Sequence, residues 1–307
     1  MVQKLKPNAQ KILNDIKNKK IFLLDGATGT YLQNNGLEPG GCPELMNKEN
    51  STVISSMADD YFKNGSDIVL TNSFGGNKYR LSHYKLENEV YELNKLSAIL
   101  AKEEAEKYTD KFVFGSIGPT GEFLEPLGSV TEREMYDAFA EQMRGLFEGG
   151  VDGFLIETQI ATEETKLAIK VAKENFNILI LASAVYDKGP KGYFTMFGLT
   201  PKESLEIFFE SGAHVVGSNC GNGSENMVEI SKQLRSFTNN PLLVQANAGI
   251  PKIKKQDIIY PESPEFMQER YKELIVNEIN FIGGCCGTDS EHIRFFHELT
   301  RRHNESI

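Results

Sequence analysis

The 307-residue sequence contains no tryptophan, only four cysteines and no apolar run long enough to cross a membrane. Each shortage excludes something. Four cysteines in so long a chain cannot form a disulfide framework, and thiols kept reduced stay free to hold a metal. The N-terminal stretch Met1-Val2-Gln3-Lys4-Leu5-Lys6-Pro7 lacks the apolar segment of a signal peptide, so a cytoplasmic location is expected. Positive charge is scarce too: 33 Lys and Arg face 43 Asp and Glu, for a formal net charge of -10. No Lys/Arg cluster overrides that balance, so neither nucleic acid nor an anionic membrane surface is an expected partner.

What is present is a globular composition, 40% hydrophobic and 25% charged, organised in a repeating pattern. Short runs rich in Val, Ile, Leu and Phe alternate with longer stretches of helical period, which reads as repeated strand-helix units. Eight strands are predicted, at 21–25, 67–72, 112–116, 153–157, 178–183, 214–219, 242–247 and 280–283. Helices are predicted at 50–64, 87–108, 131–149, 162–175, 201–211, 224–237, 264–277 and 289–302, with one more over 8–18 before the first strand. Thr131 stands three residues before Glu134 as a capping box, and Gly149-Gly150 and Gly212 follow helix ends. The α/β pattern predicts a (βα)8 TIM barrel with an extra N-terminal helix, one domain over 1–307. A doubly wound open sheet is the alternative, because periodicity does not reveal closure.

The chemistry concentrates near the C-terminus, in Phe281-Ile282-Gly283-Gly284-Cys285-Cys286-Gly287-Thr288. Adjacent residues on an extended chain point to opposite faces, so two neighbouring thiols converge on one ion only where the backbone turns, and the flanking glycines permit that turn. Zinc suits such a pair. A catalytic zinc keeps three protein ligands and one exchangeable position, and Cys220, in a second glycine-bounded loop, offers the third thiolate. A closed structural zinc site, or ordinary buried cysteines, are the competing readings. Cys42, in Pro39-Gly40-Gly41-Cys42-Pro43, reads as a loop or buried thiol outside the metal set. Asp25, Asn72, Ser116, Glu157, Ser183, Asn219, Cys220, Asn247, Cys285 and Cys286 all fall at or just beyond predicted strand ends, which in a barrel form the active-site rim. The segments 31–49 and 118–130 are long enough to fold over that rim as lids.

With these residues in place, the chain resembles the homocysteine S-methyltransferase family. The motifs run in order over 21–296: Asp25-Gly26-Ala27-Thr28-Gly29-Thr30, Thr71-Asn72-Ser73-Phe74, Gly118-Pro119-Thr120, Ile156-Glu157-Thr158, Asn219-Cys220, Asn247-Ala248-Gly249 and Gly283-Gly284-Cys285-Cys286-Gly287-Thr288. The resemblance implies Zn2+ held by Cys220, Cys285 and Cys286, with Asn247 as a fourth ligand that yields to substrate. It implies that Asp25 and Glu157 receive the ammonium of homocysteine, that backbone amides of Gly26, Ala27, Thr28 and the following residues receive its carboxylate, and that Asn72 and Thr158 stand beside them. The implied reaction is methyl transfer to the homocysteine thiol, giving methionine.

The donor is less defined. A betaine site needs an aromatic enclosure in which tryptophan contributes most, and none is present. No Asp-x-His-x-x-Gly corrinoid signature occurs either, so a corrinoid would arrive on a separate protein. The donor is then a methylated corrinoid protein or a small methyl compound. A corrinoid-protein methyltransferase acting on another small donor or thiol is the alternative function, and a homo-oligomer is compatible with either.

Overall fold

The computed structural model describes residues 4–254 and 257–307. Eight parallel strands form the centre: β1 (Phe22–Leu23), β2 (Ile68–Leu70), β3 (Phe112–Ile117), β4 (Gly153–Gln159), β5 (Leu179–Ala184), β6 (Val215–Asn219), β7 (Leu242–Ala246) and β8 (Phe281–Gly284). Hydrogen-bonded neighbours follow the order β1-β8-β7-β6-β5-β4-β3-β2, each strand beside its sequence neighbour and the last beside the first. That order belongs to a (βα)8 barrel and rules out the doubly wound sheet, whose strand order reverses at a switch point.

The seam between β1 and β2 has no regular ladder, and carboxylates complete it. Asp67 N–H donates to Leu23 O at 2.7 Å, while Leu23 N–H donates to Asp67 Oδ2 at 3.0 Å. One step further along, Leu70 N–H donates to Asp25 Oδ2 at 2.7 Å. This explains why β1 is shorter than the predicted 21–25: beyond Leu23 a side chain takes over the hydrogen bond that a strand would supply.

A helix follows every strand, at Ser51–Lys63, Val90–Ala105, Glu132–Glu148, Thr162–Asn175, Pro201–Ser211, Ser224–Phe237, Pro264–Val276 and Ser290–Asn304. The Thr131/Glu134 capping box forms as the spacing predicts, and Gly212 closes its helix in the left-handed region at φ 119°. Short helices at Thr28–Asn34, Met46–Glu49 and Lys78–Ser82, and hairpins pairing Asp187–Gly189 with Gly192–Phe194 and Lys252–Lys254 with Asp257–Ile259, were not expected from the sequence. All of them lie in segments that follow the strands, where turn chemistry rather than periodicity sets the structure. No helix among the described residues is long and apolar enough to cross a membrane.

Strand alternation divides the core in two. Phe22, Leu24, Ile68, Leu70, Phe112, Phe114, Leu155, Leu181, Leu243 and Phe281 pack together inside the barrel, and intervening residues such as Leu23, Val69, Val113 and Ile282 pack outward against the helices. The predicted N-terminal helix forms at Pro7–Lys17. Its Ala9, Ile12 and Ile16 share one face by their i, i+3, i+7 spacing and join the inner cluster, so this helix stoppers one end of the barrel. Phe22, stacked on Phe281 with centroids 5.5 Å apart, lies in the same layer.

Removing the Asp67 carboxylate should open the seam. Asp67→Ala is expected to lower unfolding free energy by ~1.5–3 kcal/mol, the range for a hydrogen bond to a charged group. Urea denaturation measures it, and a loss below about 0.5 kcal/mol would show that Asp67 N–H to Leu23 O is enough by itself.

Candidate metal centre

The inner face changes character in its uppermost layer. Above Phe114, Leu155, Leu181, Val215 and Leu243, the same inward series continues as Ser116, Glu157, Ser183, Asn219 and Gln245, all buried. The first four hydrogen-bond to one another around the ring, while Gln245 turns its amide nitrogen to Gly284 O. Ser116 Oγ donates to Glu157 Oε1 at 2.5 Å, Asn219 Nδ2 to Glu157 Oε2 at 3.0 Å, and Ser183 Oγ to Asn219 Oδ1 at 2.8 Å. Burial pushes Glu157 up to about 7 despite the Ser116 hydrogen bond.

Two rim residues adopt the left-handed region without being glycine, Thr158 at φ 60° and Cys220 at φ 61°. Each sits directly after a ring residue, and local bonds hold the unusual geometry. Thr158 N–H donates to Asn219 Oδ1 at 2.8 Å, and Cys220 N–H to Gln245 O at 3.0 Å. In the β8 loop, Cys285 N–H donates to Ala246 O at 2.8 Å, and Thr288 Oγ1 to Cys285 O at 2.7 Å. Gly284 is required there, because a Cβ would stand 2.1 Å from Thr288 Oγ1. Gly287, at φ 81°, lies under the Tyr260 ring with equally little room.

These turns bring the sulfurs of Cys220, Cys285 and Cys286 within 4.8 Å of one another, with Cys220 and Cys286 at 3.9 Å. Tetrahedral zinc with bonds of ~2.3 Å sets its sulfurs ~3.8 Å apart, so the trio fits the ion. Hydrogen bonding from Cys220 and then Cys285 lowers Cys286 from the ordinary thiol value, which suits a sulfur that must ligate as thiolate. Cys42 stands apart. It packs with Leu81, Val90 and Leu93, donates to Glu44 Oε2 at 3.5 Å, and is pushed up to about 12 by burial.

A cavity of about 390 Å³ opens over the sulfurs. Of the residues expected from sequence, Gly26, Ala27, Thr28, Asn72, Glu157, Thr158 and the three cysteines line it. Asp25 and Asn247 do not. Asp25 is fully buried behind the wall, with Oδ2 engaged by Leu70 N–H and Oδ1 without a partner, and burial pushes it up to about 8. Asn247 lies between the cysteine loops: its N–H donates to Asn222 O at 3.1 Å, the adjoining Ala248 N–H to Cys286 O at 2.9 Å, and its Oδ1 is buried without a partner. Asn72 uses its amide nitrogen on Pro43 O at 2.7 Å and Asn47 Oδ1 at 2.9 Å, so it anchors the loop that forms one wall. Ala27 N–H donates to Thr288 O at 3.1 Å, which takes one amide of the 26–30 loop out of ligand binding.

Sequence reading missed Glu44, Gln245 and Tyr260. Glu44 lines the cavity from within the 31–49 segment, accepting from Gly75 N–H at 2.7 Å. Gln245 lines it from β7, and its position two residues before Asn247 on an inward-facing series was the available signal. Tyr260 reaches the Cys286 sulfur from the hairpin after β7, and nothing local in the sequence marks it. Among the described residues, no Lys, Arg or His lines the cavity. With two carboxyls and three thiols in its walls, it favours cationic ligands.

Comparison with known proteins agrees with this geometry. Residues 22–300 match the profile of the family described as Homocysteine S-methyltransferase. The chain is 29% identical over 296 residues to a protein named methionine synthase from Mycobacterium leprae (strain TN), covering 90% of this chain and 24% of that protein. It is 28% identical over 300 residues to methionine synthase from Mycobacterium tuberculosis (strain ATCC 25618 / H37Rv), covering 92% and 25%. The chain thus spans about a quarter of the length of these curated relatives. In fold it is similar to the metallated form of the homocysteine methyltransferase MmuM from Escherichia coli, with TM-score 0.78, 20% identity, and 94% and 99% of the two chains covered. A profile match that takes in all eight strands and the three clustered cysteines establishes that this chain belongs to the homocysteine S-methyltransferase family.

Proposed function

We propose that this protein binds one zinc ion and homocysteine, and transfers a methyl group to the homocysteine sulfur to give methionine. The convergence of three sulfurs beneath a cavity that has carboxyls in its described lining and no Lys, Arg or His carries this reading. Cys220, Cys285 and Cys286 hold the zinc, and the Asn247 amide oxygen, buried without a partner, would be a weak neutral ligand in the exchangeable position, one that an incoming thiolate could replace. Bound there, zinc supplies the Lewis acidity that keeps the incoming thiol deprotonated at neutral pH.

The remaining work is positioning. Glu157 receives the ammonium on the cavity wall, with Asp25 Oδ1, unpartnered and buried just outside the lining residues, as its second acceptor once the substrate is seated; the ammonium's charge favours ionisation of the two carboxyls that burial otherwise protonates. Free amides of the loop that begins at Gly26 receive the carboxylate. Thr158 and Asn72 fix the walls through Asn219 and the 43–47 segment. The sulfur then faces the cavity mouth for in-line attack on a methyl group, a step in which geometry matters more than proton transfer. The donor is a methylated corrinoid protein or a small methyl compound. The relatives named methionine synthase and homocysteine methyltransferase support the acceptor.

Purified protein with homocysteine and methylcobalamin, a methylated corrinoid protein, S-methylmethionine or betaine is expected to form methionine with at least one of them. Demethylation of a donor with no methionine formed would instead favour the corrinoid-protein methyltransferase reading.

Zinc should bind at one ion per chain and be lost in Cys220→Ser, Cys285→Ser and Cys286→Ser but retained in Cys42→Ser. Metal analysis tests this, and full occupancy in Cys285→Ser would sink the ligand set. X-ray absorption should show three sulfurs and one light atom in the resting protein, then four sulfurs with homocysteine. Asn247→Ala is expected to alter the light-atom signal, and an unaltered signal would assign that place to water.

Glu157→Gln should weaken homocysteine binding by ~1.5–3 kcal/mol while zinc content stays the same. Affinity of the unaltered protein should fall as pH drops below about 7, because a protonated Glu157 no longer offers a charge to the ammonium. Calorimetric titration measures both, and equal affinity for homocysteine and a thiol without the amino group would argue against this role.

A further inference from the structure

Gln245 has a buried side chain that the mechanism above leaves without a task. It lines the cavity from β7, is 2% exposed, and lies in register with Gly283 of β8. Its Nε2 donates to Gly284 O at 3.2 Å. That bond fixes which end of the amide is which, and Oε1 is left buried with no partner. A buried acceptor without a donor is destabilising, so its persistence at a cavity wall points to a ligand that supplies the missing hydrogen.

The ligand's chemistry follows from counting donors. An ammonium carries three N–H groups. Asp25 Oδ1 is unpartnered, and Glu157 accepts one hydrogen bond on each oxygen with a lone pair to spare on either. In the homocysteine reading Glu157 on the wall and Asp25 Oδ1 just outside the lining take two of the three hydrogens. Between the strand of Gln245 and that of Asp25 runs β8, whose Gly283 and Gly284 put no side chain in the way.

We propose that Gln245 Oε1 is the third acceptor for the α-ammonium of the substrate, and that Gln245 therefore separates amino-acid thiols from plain thiol acids. This rests on the homocysteine reading of the cavity. It adds a binding residue to that reading, one whose loss acts on a single functional group of the ligand.

The test is calorimetric titration of the zinc-loaded protein, the Gln245→Met variant and the Gln245→Glu variant with homocysteine and with 4-mercaptobutyrate, which has the same length but no amino group. Gln245→Met is expected to weaken homocysteine about tenfold and to leave 4-mercaptobutyrate within about twofold, at unchanged zinc content. Gln245→Glu, which keeps an oxygen at that place, should hold homocysteine within about threefold of the original. Equal weakening of both thiols by Gln245→Met would mean a role in cavity shape or at the metal and overturn the proposal. A Gln245→Glu loss as large as that of the methionine variant would overturn it as well. If the unaltered protein prefers homocysteine and Gln245→Met keeps that preference, Gln245 alone is wrong. If the unaltered protein binds both thiols equally, the ammonium subsite fails and Gln245 with it.

Discussion

One amide side chain ties the site together. Asn219 is wholly buried at the end of β6, and its Oδ1 accepts from Thr158 N–H and Ser183 Oγ while its Nδ2 donates to Glu157 and Thr158 Oγ1. Three neighbouring strands are thereby held in one register at the rim. The same Nδ2 lies 3.9 Å from Cys285 Sγ, and Cys220 is the next residue along the chain. The orientation of the Glu157 carboxyl and the placing of two sulfurs thus depend on one group whose hydrogen-bonding capacity is filled by protein. A side chain so engaged has no freedom to adapt, which is what a preorganised site requires.

The barrel separates stability from chemistry along its axis. Its lower interior is apolar and closed by Ala9, Ile12 and Ile16 of the N-terminal helix, so that end contributes burial. Its upper layer is polar, and several groups there lack partners: Asp25 Oδ1, Gln245 Oε1 and Asn247 Oδ1 are all buried and unsatisfied. Interiors rarely tolerate such groups. Three of them near one cysteine cluster point to a region shaped for a polar ligand rather than for the fold.

Charge points the same way. Burial holds Asp25 and Glu157 toward their protonated forms, while hydrogen bonding from the neighbouring thiols lowers Cys286. The described walls carry no fixed positive charge, so a cation at the sulfurs or beside the carboxyls would meet no like-charged side chain there.

The sequence by itself determined the eight strand-helix units, the extra N-terminal helix and the placing of the unusual residues at strand ends. Apolar periodicity and capping residues such as Thr131 act within a few positions and are readable one segment at a time. The paired thiols between glycines were legible for the same reason, since a local turn was the only way to aim both sulfurs at one ion. Only the tertiary structure decided that Asp25 braces the β1–β2 seam through Leu70 and offers a single free oxygen, that Asn72 anchors a wall, and that Gln245 rather than Asn247 lines the cavity. These depend on barrel closure and on which neighbour reaches each polar atom first. Such partners lie tens to hundreds of residues away in the chain, where no local pattern registers them.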